Sequence, residues 1–145
     1  MLHPNNDLVA AAWCKTIPGV PVNQVAMMLP EDNSTWAASG FVVLTTVGGT
    51  PGEDHALRQP VITFDCWACS PSSVRPPWGK ANALAEAIIA GHYSHSLLGV
   101  LQMPNGYVNA RVLSTLCLAE PRRMAPDSAG YARYQVDLQL FWTEA

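Results

Sequence analysis

Two cysteines and two histidines are the residues whose spacing could support chemistry. Cys66-Trp67-Ala68-Cys69 is a C-x-x-C pair, and His92 and His95 follow it, giving C-x2-C-x22-H-x2-H. A redox dithiol needs its second cysteine in the first turn of a helix, where the helix dipole lowers a thiol pKa. Here Ser70-Pro71 intervenes, and the next helical pattern starts about eight residues later. A zinc finger prefers a spacer of about 12 to 15 residues and H-x3–5-H, so that both imidazoles reach one tetrahedral ion. This spacer is too long for that arrangement, which leaves Cys66, Cys69, His92 and His95 as weak metal candidates. The plainer reading is that Cys66 is core, Cys69 ends a strand, and the histidines cap a helix.

Other constellations are thinner. No G-x-S-x-G elbow and no G-x-x-x-x-G-K-[ST] phosphate cradle occurs. The glycines of Gly48-Gly49-Thr50-Pro51-Gly52 lack a following helix to aim N–H groups at an anion. Paired carboxylates, Glu31-Asp32 and Glu53-Asp54, fall in loops. Asp65 and Asp137 are mid-strand acids, which reads as a solvent face or an interface rather than a catalytic pair. Neither catalytic residues nor a cofactor is expected.

The elements that would position these residues can be read in order. Asn5-Asn6-Asp7 offer N-cap side chains for a helix over Leu8 to Ile17, with Val9, Trp13 and Ile17 on its apolar side. Val22 to Leu29 reads as a first strand. Phe41 to Val47, FVVLTTV, is apolar on both faces and reads as a central strand. In the next strand Ile62, Phe64, Cys66 and Ala68 share one face, while Val61, Thr63, Asp65 and Trp67 share the other. Pro77 suits the first turn of a long helix, whose stripe is Ala81, Leu84, Ala85, Ile88 and His92, with Gly91 as its stop. Leu97 to Leu101 fits either a short strand or a loop. Tyr107 to Ala119 reads as a long strand with Val108, Ala110, Val112, Ser114, Leu116 and Leu118 on one side. Glu120 to Gly130 reads as the connecting loop. Tyr131 to Trp142 then alternates cleanly, with Ala132, Tyr134, Val136, Leu138, Leu140 and Trp142 inward. The expected fold is one α+β domain over residues 1–145: a mostly antiparallel sheet with two helices on one face, in the order α-β-β-β-α-β-β.

Composition narrows the partners. Of 145 residues, 49% are hydrophobic and only 13% charged, about half the usual charged fraction of roughly 25%. So little charge implies contacts beyond the monomer core. The formal net charge is −3 and the basic residues are spread singly apart from Arg122-Arg123, which argues against sequence-specific nucleic-acid binding. No stretch reaches the ~20 apolar residues of a membrane span, and no signal-peptide pattern opens the chain. A soluble cytoplasmic protein with reduced cysteines is the resulting expectation.

Val47-Gly48-Gly49, Asp65-Cys66-Trp67-Ala68, Ala81 to Ala85 and Arg133-Tyr134 stand in an order that resembles a family. It is the tail terminator (tail completion) proteins of long-tailed phages, especially those infecting actinobacteria. Those show a V-G-G turn, a strand with D-x-W-A, an A-x-x-L-A helix and a late R-Y opening the last strand. The resemblance covers nearly the whole chain, and Cys69 and the Trp13 region fall outside it. It implies a structural virion protein that forms a six-subunit ring on the head-proximal end of the tail tube. The ring would stop tube polymerisation and present the surface that joins the head. Implied partners are other copies of the chain, the tail tube protein and the head-closure connector. DNA would pass through the lumen without sequence-specific binding, and no membrane is involved. The protein would be assembled in the host cytoplasm and end in the virion. Glu53, Asp54, His55 and Arg58 in one loop, and Arg122, Arg123 and Asp127 in another, are the interface candidates. A head-closure or adaptor ring protein, a tail-tube subunit, and a small zinc or dithiol protein are the alternatives.

Overall fold

A computed structural model describes residues 1–49, 56–73, 75–125 and 130–145. The elements are α1 (Asn6–Lys15), β1 (Val25–Ala26), β2 (Phe41–Gly48), β3 (Val61–Ala68), α2 (Trp78–Tyr93), β4 (Gly99–Leu101), β5 (Ala110–Arg123) and β6 (Ala132–Glu144), with short 3-10 turns at Asn33–Thr35 and His95–Leu97. The expected α+β class holds. The stretch that fitted either strand or loop supplies β4, so a third strand follows α2.

Six strands form one sheet in the order β1-β2-β3-β6-β5-β4. Every pairing is antiparallel except β1 with β2. Leu44, Phe64 and Val136 lie in one row across β2, β3 and β6, as do Thr46, Ile62 and Leu138. These rows face both helices. Val9, Trp13, Leu84, Ala85 and Ile88 pack with Phe64, Ile62, Val136 and Leu138 in a single core cluster. Trp13 meets Phe64 edge-on at 6.1 Å between ring centres, the arrangement the ring quadrupoles favour.

Local chemistry explains the helix ends. Asn5 accepts from the Leu8 amide at 2.9 Å, satisfying one of the free N–H groups of α1. Trp142 Nε1 donates to Asn6 Oδ1 at 3.0 Å and ties the same end of α1 to β6. Pro77 precedes the first turn of α2. Lys80 on that turn donates to the carbonyls of Ala37 and Ala38, fastening α2 to the segment before β2.

The structure corrects four sequence expectations. The first strand shrinks from Val22–Leu29 to Val25–Ala26, because Pro21 to Gln24 forms a turn. β2 is not central: β1 covers it only at Val42 and Val43, and Thr45 to Gly48 are exposed. Gly91 does not stop α2, which runs to Tyr93. It is a contact point, where an added Cβ would stand 2.8 Å from Ile17, so only a bare backbone lets α2 approach the residue beyond the end of α1. Finally, the register of β5 shifts between Val112 and Ser114. An extra residue in a strand reverses the facing of the residues after it as far as the next irregularity, which in β5 comes after Cys117. Leu116 therefore joins the row of Gln139 and Val61, away from the helices, and Cys117 takes the inward place beside Leu138.

Candidate interface on the open face of the sheet

The face of β3, β6 and β5 turned away from the helices is polar at its centre. Thr63 Oγ1 donates to Asp137 Oδ1 at 2.8 Å. Arg122 donates to Gln135 Oε1 at 2.8 Å and to Asp137 Oδ2 at 3.2 Å. Arg133 stands 3.7 Å from Asp65 and lies 5.0 Å over the Trp67 ring. Among the described residues Asp65 is the one buried charged residue, and its Oδ1 has no hydrogen-bond partner there. Burial pushes its carboxyl above the usual carboxylate range, against the pull of Gln135, Arg133 and Arg122.

The open face has an apolar corner. Trp36, Ala37, Phe41 and Cys69 form a separate small cluster with Trp67 and Tyr131 at its margin. Trp36 meets Tyr131 at 5.5 Å, and Tyr131 meets Trp67 at 6.3 Å, both edge-on. Residues 30 to 39 cover this corner, held by Asp32, which accepts from the amide and the hydroxyl of Ser34. At the opposite side β5 presents Leu113, Leu116 and Leu118 to solvent, each close to half exposed.

The structure separates the four metal candidates. Cys66 belongs to the main core and Cys69 to the corner cluster. Burial raises both thiols above their ordinary range, the reverse of what a reactive dithiol needs. His92 Nδ1 pairs with Thr115 Oγ1 at 2.6 Å, linking α2 to β5, and burial lowers its pKa. His95 opens the 3-10 turn after α2. Among the described residues no group of three or more His, Cys, Asp or Glu gathers as metal ligands. Cys14 is also sealed in the core, its thiol pushed up to about 12 by burial.

The interface candidates divide. Glu53, Asp54, His55 and Asp127 lie outside the described residues. Arg58 exchanges backbone hydrogen bonds with Trp142 at 2.8 and 2.9 Å and holds its guanidinium 5.2 Å over that ring. Arg122 and Arg123 are strand residues rather than loop residues, since β5 runs on through Arg123. Arg122 serves the polar network, and Arg123 lies 5.0 Å over Trp78 at the start of α2. Sequence alternation misses the leucines of β5, because counting from Val112 places Leu116 and Leu118 inward. The available signal is Leu113 to Ala119, seven uncharged residues in a long strand.

No protein-family model matches the sequence, and neither does any curated protein. Among solved structures the fold is similar to a chain described as "Virion of native gene transfer agent (GTA) particle", with a TM-score of 0.50 and 14% identity. The likeness covers 97% of this chain and 87% of that one. At that identity it establishes a shared fold. No described helix is long and apolar enough to cross a membrane.

Proposed function

We propose that the chain is a structural virion protein, and within that class a tail terminator. It would form a ring on the head-proximal end of a tail tube, end tube growth and offer the surface that joins the filled head. The observation that carries this reading is the fold shared with a virion component along nearly the whole chain. The ordered V-G-G, D-x-W-A, A-x-x-L-A and R-Y motifs agree with it, and each now has a place. Gly49 has φ +104, and an added Cβ there would collide with Gln59. Asp65 and Trp67 lie on the open face, and Arg133 bridges them.

A role in assembly suits the surface. The polar network of the open face is satisfied mostly within the chain, so it has geometry to recognise a partner without lone charges to desolvate. The −3 net charge would disfavour sticking of DNA in a lumen. A ring built from one chain uses two different patches that meet head to tail.

Electron microscopy of particles made by the source virus with this gene disrupted tests the reading. Abnormally long headless tubes beside filled heads are expected. Normal-length unattached tails would assign a head-closure role instead, and loss of tubes would assign the tube subunit. Intact virions would overturn the virion reading altogether. For the loop candidates, Glu53→Ala with Asp54→Ala should impair joining while leaving the fold intact. Adding Arg58→Ala confounds that test, because it also removes the contact with Trp142.

A further inference from the structure

The two margins of the sheet are each half covered. β4 pairs with β5 only from Ala110 to Val112, so among the described residues no strand lies on the outer side of β5 from Leu113 onward. At the other margin β1 pairs with β2 only at Val42 and Val43, so among the described residues Leu44 to Gly48 have no outer strand. The open stretch of β5 contains Leu113 to Ala119, with no charge and no proline, and three leucines between 47% and 48% exposed. Charge and proline resume close outside it, at Arg111 beyond Val112 on one side and at Glu120-Pro121-Arg122-Arg123 on the other. A bare, uncharged, apolar edge is a template for strand addition, and proteins that must stay single blunt such edges with charge or proline. Here the charged and proline residues bracket the stretch, the register shifts at Leu113 and Leu118 mark its ends, and Ser114 to Cys117 between them stay in regular register.

We propose that this edge is closed by the free edge of β2 in a second copy of the chain, so that the sheet continues from one subunit to the next. The topology favours a second copy as the occupant. β2, β3, β6 and β5 alternate in direction across the sheet. A copy rotated about an axis along the strands places its β2 after β5 with the alternation kept, so the new pair is antiparallel. Neither open run carries a charged residue of its own, and the carboxylate beside β2, Asp7, already accepts from the Thr46 hydroxyl. The open run of β2 carries Thr45, Thr46 and Val47, β-branched residues that suit a pleated contact surface. Patch and counter-patch differ, which generates a ring or a filament rather than a closed dimer. The pairing deepens the ring reading above, and rests on it for closure of the assembly.

The test uses the purified full chain and its oligomeric state across a dilution series. Leu116→Lys and Thr45→Glu stand on the two sides of the contact, both on the open face. Each should shift the assembly midpoint at least tenfold towards monomer while circular dichroism stays unchanged. The two together should recover much of the loss by pairing their charges. In a Cys117→Ser background, Thr45→Cys combined with Leu116→Cys or Leu118→Cys should give disulfide-linked oligomers under mild oxidation. Rings that form unaltered by either charge substitution, with no such crosslink, would overturn the edge pairing and leave the ring standing. A chain that stays monomeric at every concentration would overturn both. Should Leu116→Lys fail to fold, Thr45→Glu gives the same reading from the other side.

Discussion

Under the helices, the rungs of β3 and β6 carry Ile62, Phe64, Val136, Leu138 and Leu140, all buried. On the opposite face the neighbouring rungs carry Thr63, Asp65, Arg133, Gln135 and Asp137. The same two strands thus build a dry packing surface and a hydrogen-bonded polar one, separated only by the pleat. The difference teaches which face owes its energy to burial and which to geometry. Apolar packing is worth several kcal/mol per large side chain. Exposed or half-exposed ion pairs contribute little and mainly fix positions. Stability should therefore reside on the helix side, and recognition on the other.

Substitutions can break or sharpen that contrast. Phe64→Ala should cost about 3 to 5 kcal/mol, read as a fall in the urea midpoint, since it empties the space against Trp13. A loss below ~1 kcal/mol would mean that the helix-covered face is not the main core. Gly91→Ala adds a methyl against Ile17, an overpacking cost of about 1 to 3 kcal/mol. The gain in helix propensity of about 1 kcal/mol offsets only part of it. Thermal denaturation should show a net loss, smaller in an Ile17→Val background.

On the open face the effects should be smaller, and one should change sign. Asp65 has its carboxyl pKa raised by burial, so folding favours its protonated form. Its contribution is then fully present below the unfolded-state pKa and is lost as pH rises through the higher folded-state value. Asp65→Asn should therefore raise the urea midpoint at pH 7 and flatten its decline just above the ordinary carboxylate range. A lower midpoint at pH 7 would show that the Arg133 contact outweighs desolvation. Arg122→Ala should cost no more than about 0.5 kcal/mol by the same denaturation measurement, because its carboxylate partner is reached at the surface.

Legibility from the sequence divides along the same line. β6 alternates without interruption, so its inward residues can be read directly from Ala132 to Trp142. The stripe of α2 is legible as far as Ile88. Gly91 looks like a stop because glycine's two uses, ending a helix and admitting a neighbour, leave the same letter. β5 misleads at its register shifts, near Leu113 and again between Cys117 and Arg122, and at its end, which lies at Arg123. The first of three register shifts, near Leu113, changes the phase, and hydrophobic periodicity carries no sign of it when leucines occur on both parities. The polar network is half visible: Asp65 and Asp137 read as mid-strand acids of a solvent face or an interface, but Arg122 reads as part of a loop. Strand adjacency is not written in local pattern at all. Nothing in FVVLTTVG distinguishes a central strand from one whose outer side is half bare, because both demand the same residue types.

The placement of β3 between β2 and β6 has a consequence in time. β2 and β3 are neighbours in the chain, but β6 is synthesised some 60 residues after β3. At about 5 to 20 residues per second, that is a delay of roughly 3 to 12 s. A hairpin of β5 and β6 forms in about 1 to 10 μs once both are free, so synthesis, not pairing, sets the wait. Until then β3 offers its inner edge, Ile62, Phe64 and Cys66 included, to any strand at hand. The chain's most buried strand is thus its most vulnerable one while the protein is being made.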